Sequence, residues 1–366
     1  MKVSIARSEL LDALSIVTKG MSARSTLPIL SGILFSASGS EIQMQSTDLE
    51  ISIRSSAPAL IEKEGQSVLP GKLLSDIVRN LPEAAVTIEV DGDTAHVRCQ
   101  HSAFTVRTLN PADFPKFPEV AVDKSISLPA STMSSMVKQV SRAVSRDETR
   151  AVLTGILLVI EGPTVRMVAT DSYRLAVREV VLEKVAGEDV EVVIPGKALE
   201  EVTRLSGDAD EVVLGVSENQ VVFEFGTTVF VTRRIEGSFP NYKQLIPKEP
   251  ETTAVVSGEE LTAAVKRVSL MALHNTPLRI AVNVEDQTLS LSATTQDVGD
   301  ASEDLMVKAD GKDVEIAFNH GFLMDGLTSA NTEDVRLEVQ NALKPGLLKT
   351  VGDDGFLYLL MPVRLG

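Results

Sequence analysis

Tryptophan is absent from this chain, tyrosine occurs three times, and aromatic residues make up only 4% of it. Such a chain is poorly suited to a cofactor or sugar site built from stacked rings. A single cysteine, Cys99, excludes an intramolecular disulfide framework and any cysteine-based zinc cluster. The histidines are His96, His101, His274 and His320, and no two stand in H-x-x-x-H or H-E-x-x-H spacing. His96 and His101 read as lying on one strand and pointing to opposite faces. No nucleophile elbow, phosphate-binding loop or glycine-rich dinucleotide turn occurs, so no catalytic residue, metal or cofactor is expected. Apolar runs fall short of the roughly 18 residues a membrane span needs, and the start, Met1-Lys2-Val3-Ser4-Ile5, has no apolar signal core. The expectation is a cytoplasmic protein without a membrane partner. Basic residues are also scarce: 35 Lys and Arg face 51 Asp and Glu, for a net charge of −16. Taken alone, that balance argues against nucleic acid.

What the chain does have is repetition. Thr47-Asp48 recurs as Thr170-Asp171, with a weaker echo at Thr294-Thr295. Leu69-Pro70-Gly71-Lys72 recurs as Ile194-Pro195-Gly196-Lys197 and, loosely, as Phe318-Asn319-His320-Gly321. Phe114-Pro115 recurs as Phe239-Pro240. The strand Phe104–Arg107 corresponds to Phe230–Arg233 and then to Tyr358–Met361. These markers agree on a period of about 125 residues, and self-similarity at a fixed period signals repeated structural units. The 366 residues divide into three similar domains, 1–121, 122–249 and 250–366, joined by proline-bearing connectors. A shorter echo, Leu10-Leu11 against Leu73-Leu74, splits each domain into two strand–helix–strands units.

Alternation of apolar and polar residues places strands at Glu41–Gln45, Leu49–Arg54, Val86–Val90, Ala95–Cys99, Val212–Val216 and Val221–Phe225. Helical periodicity places helices at 7–19, 71–80, 130–146, 196–206, 257–273 and 319–328. Two helices and many strands per repeat make the fold α+β, with helices on one side of antiparallel sheet.

The positive charge is not spread evenly. These six helices hold 11 Lys and Arg against 8 Asp and Glu, in a chain that is otherwise strongly acidic. Segment 130–146 is the sharpest case. Met133, Met136, Val137, Val140, Ala143 and Val144 form an apolar stripe, with Lys138, Arg142 and Arg146 on roughly the opposite face. The segment contains no acid, so these cations form either a solvated basic face or a set of contacts for phosphate oxygens. Asp48 and Asp171 fit turns in which the carboxylate accepts nearby backbone N–H groups, and they are too far apart in the repeat to share acid–base work.

Several segments in order then carry a resemblance. They are Thr26-Leu27-Pro28-Ile29-Leu30, Ser46-Thr47-Asp48-Leu49-Glu50, Ala169-Thr170-Asp171-Ser172-Tyr173-Arg174-Leu175-Ala176, Phe239-Pro240-Asn241-Tyr242 and Met361-Pro362-Val363-Arg364-Leu365. Over its whole length the chain resembles the bacterial DNA polymerase III beta subunits, the sliding clamps. The resemblance implies three clamp domains per chain and a head-to-tail homodimer closed into a ring around duplex DNA. Such a ring acts as a processivity factor rather than an enzyme. It implies as partners the clamp loader, the polymerase III catalytic subunit, and other polymerases or repair proteins that bind through short peptides. Arg24 is implied on a loop touching DNA. Lys72, Arg79, Lys138, Arg142, Arg146, Lys197 and Arg204 are the helix-borne candidates for the lining of the hole. The implied peptide groove comprises Leu153, Thr170, Tyr173, Arg174, Leu175, Pro240, Leu245, Leu359, Leu360, Met361, Pro362, Val363 and Arg364. The subunit contact is expected near Phe104, Met271 and Leu273. Departures from the family pattern stand at Asp147, Ala151, Val152, Gln244 and Gly366, where DNA or peptide contacts would differ. The alternative is a peptide-binding scaffold that does not engage DNA.

Overall fold

The computed structural model describes residues 1–22, 27–120, 124–183, 189–273 and 276–364. Arg24, His274 and Gly366 lie outside the described residues. Six α-helices occur among them: α1 (Arg7–Val17), α2 (Gly71–Asn80), α3 (Ala130–Val140), α4 (Gly196–Leu205), α5 (Gly258–Val268) and α6 (His320–Ala330).

Five helices follow directly on a strand, and α6 follows one after its cap residue, Asn319. Pro70 ends strand Gly65–Pro70 and takes the cap position of α2, where its missing N–H costs nothing. Gly71 then opens the helix because no side chain fits: a Cβ there would stand 2.1 Å from Met21 Sδ and 2.9 Å from Ile33. Asn319 Oδ1 accepts the N–H groups of Gly321 and Phe322 at the start of α6, and Asn331 closes that helix in left-handed conformation at φ 42°. Ser257 and Glu260 frame the start of α5, whose first turn is acidic and whose last turn holds Lys266 and Arg267, in keeping with the helix dipole.

Three helices end earlier than periodicity suggests. α1, α3 and α5 each run into a short 3₁₀ turn, at Thr18–Gly20, Ser141–Ala143 and Ser269–Met271. Past Ala143 the backbone is extended at Val144, and the Ser145 N–H bonds the Leu153 carbonyl at 2.9 Å. That pairing ends the helix expected over 130–146, so Lys138 sits on α3, Arg142 in the 3₁₀ turn and Arg146 beyond it. At α1 the Ser46 hydroxyl donates to the Val17 carbonyl, supplying an orphan helix-end oxygen with a partner. Leu49, expected in a strand, lies in the turn before strand Ile51–Pro58, at φ 78°.

The chain forms two compact units, residues 1–133 with 201–234, and residues 134–200 with 235–366. The first holds two antiparallel sheets. One has five strands in the order 60–63, 2–6, 85–91, 94–99, 102–107. The other has eight, in the order 124–129, 211–216, 220–225, 228–233, 51–58, 41–47, 32–38, 65–70. The second unit holds a nine-stranded sheet, 190–195, 155–161, 164–170, 174–181, 356–360, 346–350, 334–339, 252–257, 308–311. Its four-stranded sheet runs 299–306, 288–295, 278–283, 314–318.

Compactness follows these ladders. In the first unit, strand 228–233 of the second repeat pairs with 51–58 of the first, Phe230 opposite Ile53. In the second unit, strand 174–181 of the second repeat pairs with 356–360 of the third, Leu175 opposite Leu359. Helices cover one face of the sheets. α1 packs on α2 and on strands 41–47 and 51–58, while α5 packs on α6. Leu10, Ala13, Leu14 and Val17 give α1 the buried stripe that this requires.

Candidate functional site

The basic positions expected on helices are exposed. In the first unit, Lys72 and Arg79 lie on one face of α2, and Arg204 ends α4; in the second unit, Lys197 starts α4, with Lys138, Arg142 and Arg146 further along its chain. Opposite them on α3, Met133, Met136, Val137 and Val140 are buried, as the apolar stripe requires. Not all of this charge is unopposed. Arg79 pairs with Asp76 at 3.5 Å and Arg204 with Glu201 at 3.0 Å, both one helical turn apart. These two pairs are copies of one device at equivalent repeat positions. The absence of acids within 130–146 did not leave Arg142 without a partner: Asp325, on α6, approaches it at 3.3 Å.

The groove residues all fall in the second unit, and they form two tiers. Leu153, Thr170, Leu175, Leu359 and Leu360 are buried. Leu175 and Leu359 belong to an apolar cluster with Leu157, Val168, Val193 and Tyr242. Above this floor, Tyr173, Pro240, Leu245, Met361 and Arg364 are exposed, with Pro362 and Val363 partly so. Backbone bonds fix the rim. The Met361 N–H donates to Tyr173 O at 2.9 Å, and the Val363 N–H to Ala317 O at 2.8 Å.

Thr170-Asp171 builds the turn that presents Tyr173. Asp171 Oδ1 accepts the N–H groups of Tyr173 (2.9 Å) and Arg174 (3.0 Å), and the Thr170 hydroxyl donates to the Arg174 carbonyl at 2.7 Å. The same bonds recur at Thr47-Asp48, where Asp48 Oδ1 accepts from Glu50 and Ile51 at 2.9 and 2.7 Å. Both aspartates therefore serve turns. The third copy differs: Thr295 Oγ1 donates to Met271 O at 2.5 Å and accepts the Leu273 N–H at 3.3 Å.

Arg174 is nearly buried and held on every side. Its Nε donates to Asp171 Oδ2 at 3.0 Å, and its Nη1 donates to Asp325 Oδ2 at 2.5 Å and to Tyr358 Oη at 3.2 Å. The guanidinium stacks over Phe322 at 4.4 Å, and Phe322 in turn stacks with Tyr173 at 6.3 Å. Burial by itself lowers the Arg174 pKa, but Tyr358, Asp325 and Asp171 outweigh it and the net shift is upward. Burial pushes the Tyr358 phenol well up, so it stays protonated. Asp147, a departure from the family pattern, caps the 148–154 segment. It accepts the Thr149 hydroxyl and N–H and the Arg150 Nε, which hold its carboxyl below the usual range. Arg150 also reaches Ser172 Oγ at 2.9 Å, bracing the same turn.

Sequence reasoning missed Asp325, Phe322 and Tyr358 in this cluster. The one signal available for Asp325 was that it is the only acid in α6. Of the expected subunit-contact residues, Phe104 lies on an edge strand, while Met271 ends a 3₁₀ turn and Leu273 follows it in a loop. Phe104 is 40% exposed on edge strand Ser102–Arg107, and Leu273 is 39% exposed beside partly buried Met271. His96 bonds Thr105 at 3.1 Å, whereas His101 lies in the hairpin turn and not on the strand expected to carry it.

A protein assembled by repetition, with basic helix faces and an apolar rim tied down by backbone bonds, presents surfaces for binding. Comparison with known proteins gives this class its family. Models of the DNA polymerase III beta subunit match in three parts: the N-terminal domain at residues 1–118, the central domain at 127–241 and the C-terminal domain at 243–364. The beta sliding clamp of Streptomyces coelicolor is 36% identical over 378 residues, covering 100% of both chains. That of Staphylococcus aureus is 33% identical over 375 residues, covering 100% of this chain and 99% of the relative. The crystal structure of the DNA polymerase sliding clamp from Bacillus subtilis superposes with a TM-score of 0.95 at 29% identity, covering 100% of both chains. The chain belongs to the DNA polymerase III beta subunit family. It is a sliding clamp, a non-catalytic processivity factor of the polymerase.

Proposed function

We propose that three clamp domains, residues 1–121, 122–249 and 250–366, close head to tail with a second copy into a ring that threads duplex DNA. One observation carries this reading. The last strand of a repeat pairs with the strand after the Thr-Asp turn of the repeat before it: 228–233 with 51–58, and 356–360 with 174–181. The counterparts left over are 102–107, at one edge of the five-stranded sheet, and 299–306, at one edge of the four-stranded sheet. Each exposes a row of backbone donors and acceptors that a sheet normally covers. Their charges favour each other over themselves. Strand 299–306 carries Asp300, Asp304 and Glu303, the last paired with Arg267, whereas strand 102–107 carries Arg107, paired with Asp93, and neighbours Arg98, paired with Glu89. Two acidic edges repel, so the contact is heterologous, and two such contacts close by rotation.

In such a ring Lys72, Arg79, Lys138, Arg142, Arg146, Lys197 and Arg204, with Arg24 outside the described residues, supply phosphate contacts without reading sequence. Pairing Arg79 and Arg204 with helix acids tempers that attraction and suits sliding over gripping. The exposed rim formed by Tyr173, Leu245, Met361 and Arg364 over the Leu175–Leu359 floor takes short peptides from the polymerase catalytic subunit, other polymerases or repair proteins, and the clamp loader. The site of action is the cytoplasm. Processivity then follows from effective concentration: a tethered polymerase rebinds before it diffuses away. The test is retention. Loaded clamps stay on nicked circular DNA and leave it once the circle is linearised; equal retention on both forms refutes threading.

A further inference from the structure

Asp325 stands between two arginines, Arg142, which the proposed function assigns to DNA, and Arg174, which lies beneath the rim it assigns to peptides. Its Oδ1 meets Arg142 Nη1 at 3.3 Å and its Oδ2 meets Arg174 Nη1 at 2.5 Å. Arg142 is exposed and is one of the proposed DNA-facing cations, whereas the Arg174 side chain is 11% exposed and sits beneath the groove rim. We propose that Asp325 couples DNA to the peptide groove, because one carboxylate divided between the two arginines is released to Arg174 when a DNA phosphate engages Arg142.

The sharing is competitive. The Arg142 contact is the longer and more exposed of the two, and a phosphate offers the same guanidinium a charge-assisted, potentially bidentate partner. Once Arg142 turns to phosphate, its charge is neutralised from outside and no longer repels Arg174, and Asp325 is free to settle on Arg174 alone. Arg174 has no slack to absorb such a change. Its backbone pairs with Leu360, the residue before Met361, and its carbonyl and N–H are both fixed by the Thr170-Asp171 turn. Its guanidinium stacks on Phe322, which stacks with Tyr173, and the Tyr173 carbonyl holds the Met361 N–H. A firmer Arg174 therefore gives a more ordered rim, and less ordering remains for an arriving peptide to impose. By linkage the coupling is reciprocal, and peptide binding strengthens the DNA contact by the same factor. Asp325 is a positioning residue here: it acts through Arg174 and need touch neither ligand.

This inference rests on the DNA-facing reading of Arg142, and the experiment separates the two. The affinity of a fluorescein-labelled peptide from the clamp-binding segment of the polymerase catalytic subunit is measured on free clamps and on clamps isolated after loading onto nicked circular DNA. Wild-type clamps bind the peptide about two- to fivefold tighter when loaded, the range expected for a partly exposed ion pair. Arg142→Gln brings the free clamp to the loaded wild-type affinity, and loading adds nothing further. Asp325→Asn weakens peptide binding on the free clamp and also abolishes the response to loading, while Asp325→Glu restores it. Equal responses to loading in wild type, Arg142→Gln and Asp325→Asn overturn the coupling. If Arg142→Gln leaves the salt sensitivity of DNA retention unchanged, the DNA-facing reading of Arg142 fails instead. The opposite shifts of Arg142→Gln and Asp325→Asn on free clamps still decide whether Asp325 is shared.

Discussion

The backbone N–H of Met361 donates to the carbonyl oxygen of Tyr173 at 2.9 Å, so the tail of the third repeat is fastened to the turn of the second. That bond leaves both side chains outward, Tyr173 62% and Met361 41% exposed. An unbranched thioether in this position adapts to differently shaped apolar ligands. Met361→Ala removes that contact and keeps the backbone bond. The expected result is roughly a 10-fold loss of affinity for a polymerase peptide, the scale of one well-buried aliphatic contact. Fluorescence anisotropy measures the loss, and sedimentation velocity should show an unaltered subunit assembly. Unchanged peptide affinity would remove Met361 from the groove.

The two Thr-Asp turns have the same hydrogen bonds but different burdens. Asp48 caps only its own turn, where Leu49 is held at φ 78°. Asp171 does the same for Ser172, at φ 81°, and in addition holds the Arg174 guanidinium. Asp48→Ala should therefore cost about 1–2 kcal/mol, and Asp171→Ala roughly 2–3 kcal/mol, since it also leaves a nearly buried cation short of a carboxylate. Urea unfolding followed by circular dichroism ranks the two. Equal costs would mean that Arg174 is served well enough by Asp325 and Tyr358.

These turns were legible in the sequence because all their bonds span only a few residues, and the type of residue announces the geometry. The basic face of α2 was legible for the same reason, since Lys72 and Arg79 are placed by helical pitch alone. What local pattern could not reveal is the Arg142–Asp325 contact, between residues 183 positions apart in the chain. An acid-free segment looked unpartnered because its partner comes from another repeat. The early end of α3 is of the same kind. Periodicity continues through Val144, but the Ser145 N–H is claimed by Leu153 O, and a strong nonlocal backbone bond overrides a helical pattern. The repeat itself foretold the equivalent strands. Which of them pair across repeat boundaries emerged only from the ladders.

Asp353 joins Asp147 and Glu303 among the second unit's carboxyls held below their ordinary values. Burial raises the Asp353 pKa, but the hydrogen bond from Arg178 at 2.5 Å, the Gly355 N–H at 2.9 Å and the Arg178 charge outweigh it, so the carboxyl lies below its ordinary value. A carboxyl depressed in the folded state stabilises the fold above its unfolded pKa of about 3.9, and that contribution disappears as the pH falls through the folded value. Asp353→Asn should lower stability near neutral pH and flatten the decline below about pH 4. Urea midpoints at pH 7, 5, 4 and 3 test this, and parallel profiles for the two proteins would show that another group controls the acid limb.

The leftover edge strands make the subunit contact testable without DNA. Phe104 projects from strand 102–107 with 40% of its surface exposed, although a phenyl ring on a sheet edge invites an unwanted neighbour. Met306, at the end of strand 299–306, is 71% exposed, and Leu270 and Leu273 beside that sheet are 71% and 39% exposed. In the proposed contact these apolar groups are buried against one another as the two strands pair, which would drive the association. In the proposed contact, Phe104→Asp would put a carboxylate against the acidic strand 299–306 and remove the ring. The expected outcome is a 100-fold or greater weakening of dimerisation, the cost of losing a central aromatic anchor and gaining a like-charge contact. Sedimentation velocity should find folded monomers at concentrations where the wild-type chain is dimeric. Arg107→Ala should weaken association less, because Arg107 is already paired with Asp93 at 2.6 Å and lies toward the solvated end of the strand. Monomers in which peptide binding persists at wild-type affinity would place the groove within a single chain. A Phe104→Asp protein that remains dimeric would mean that the copies meet at some other surface.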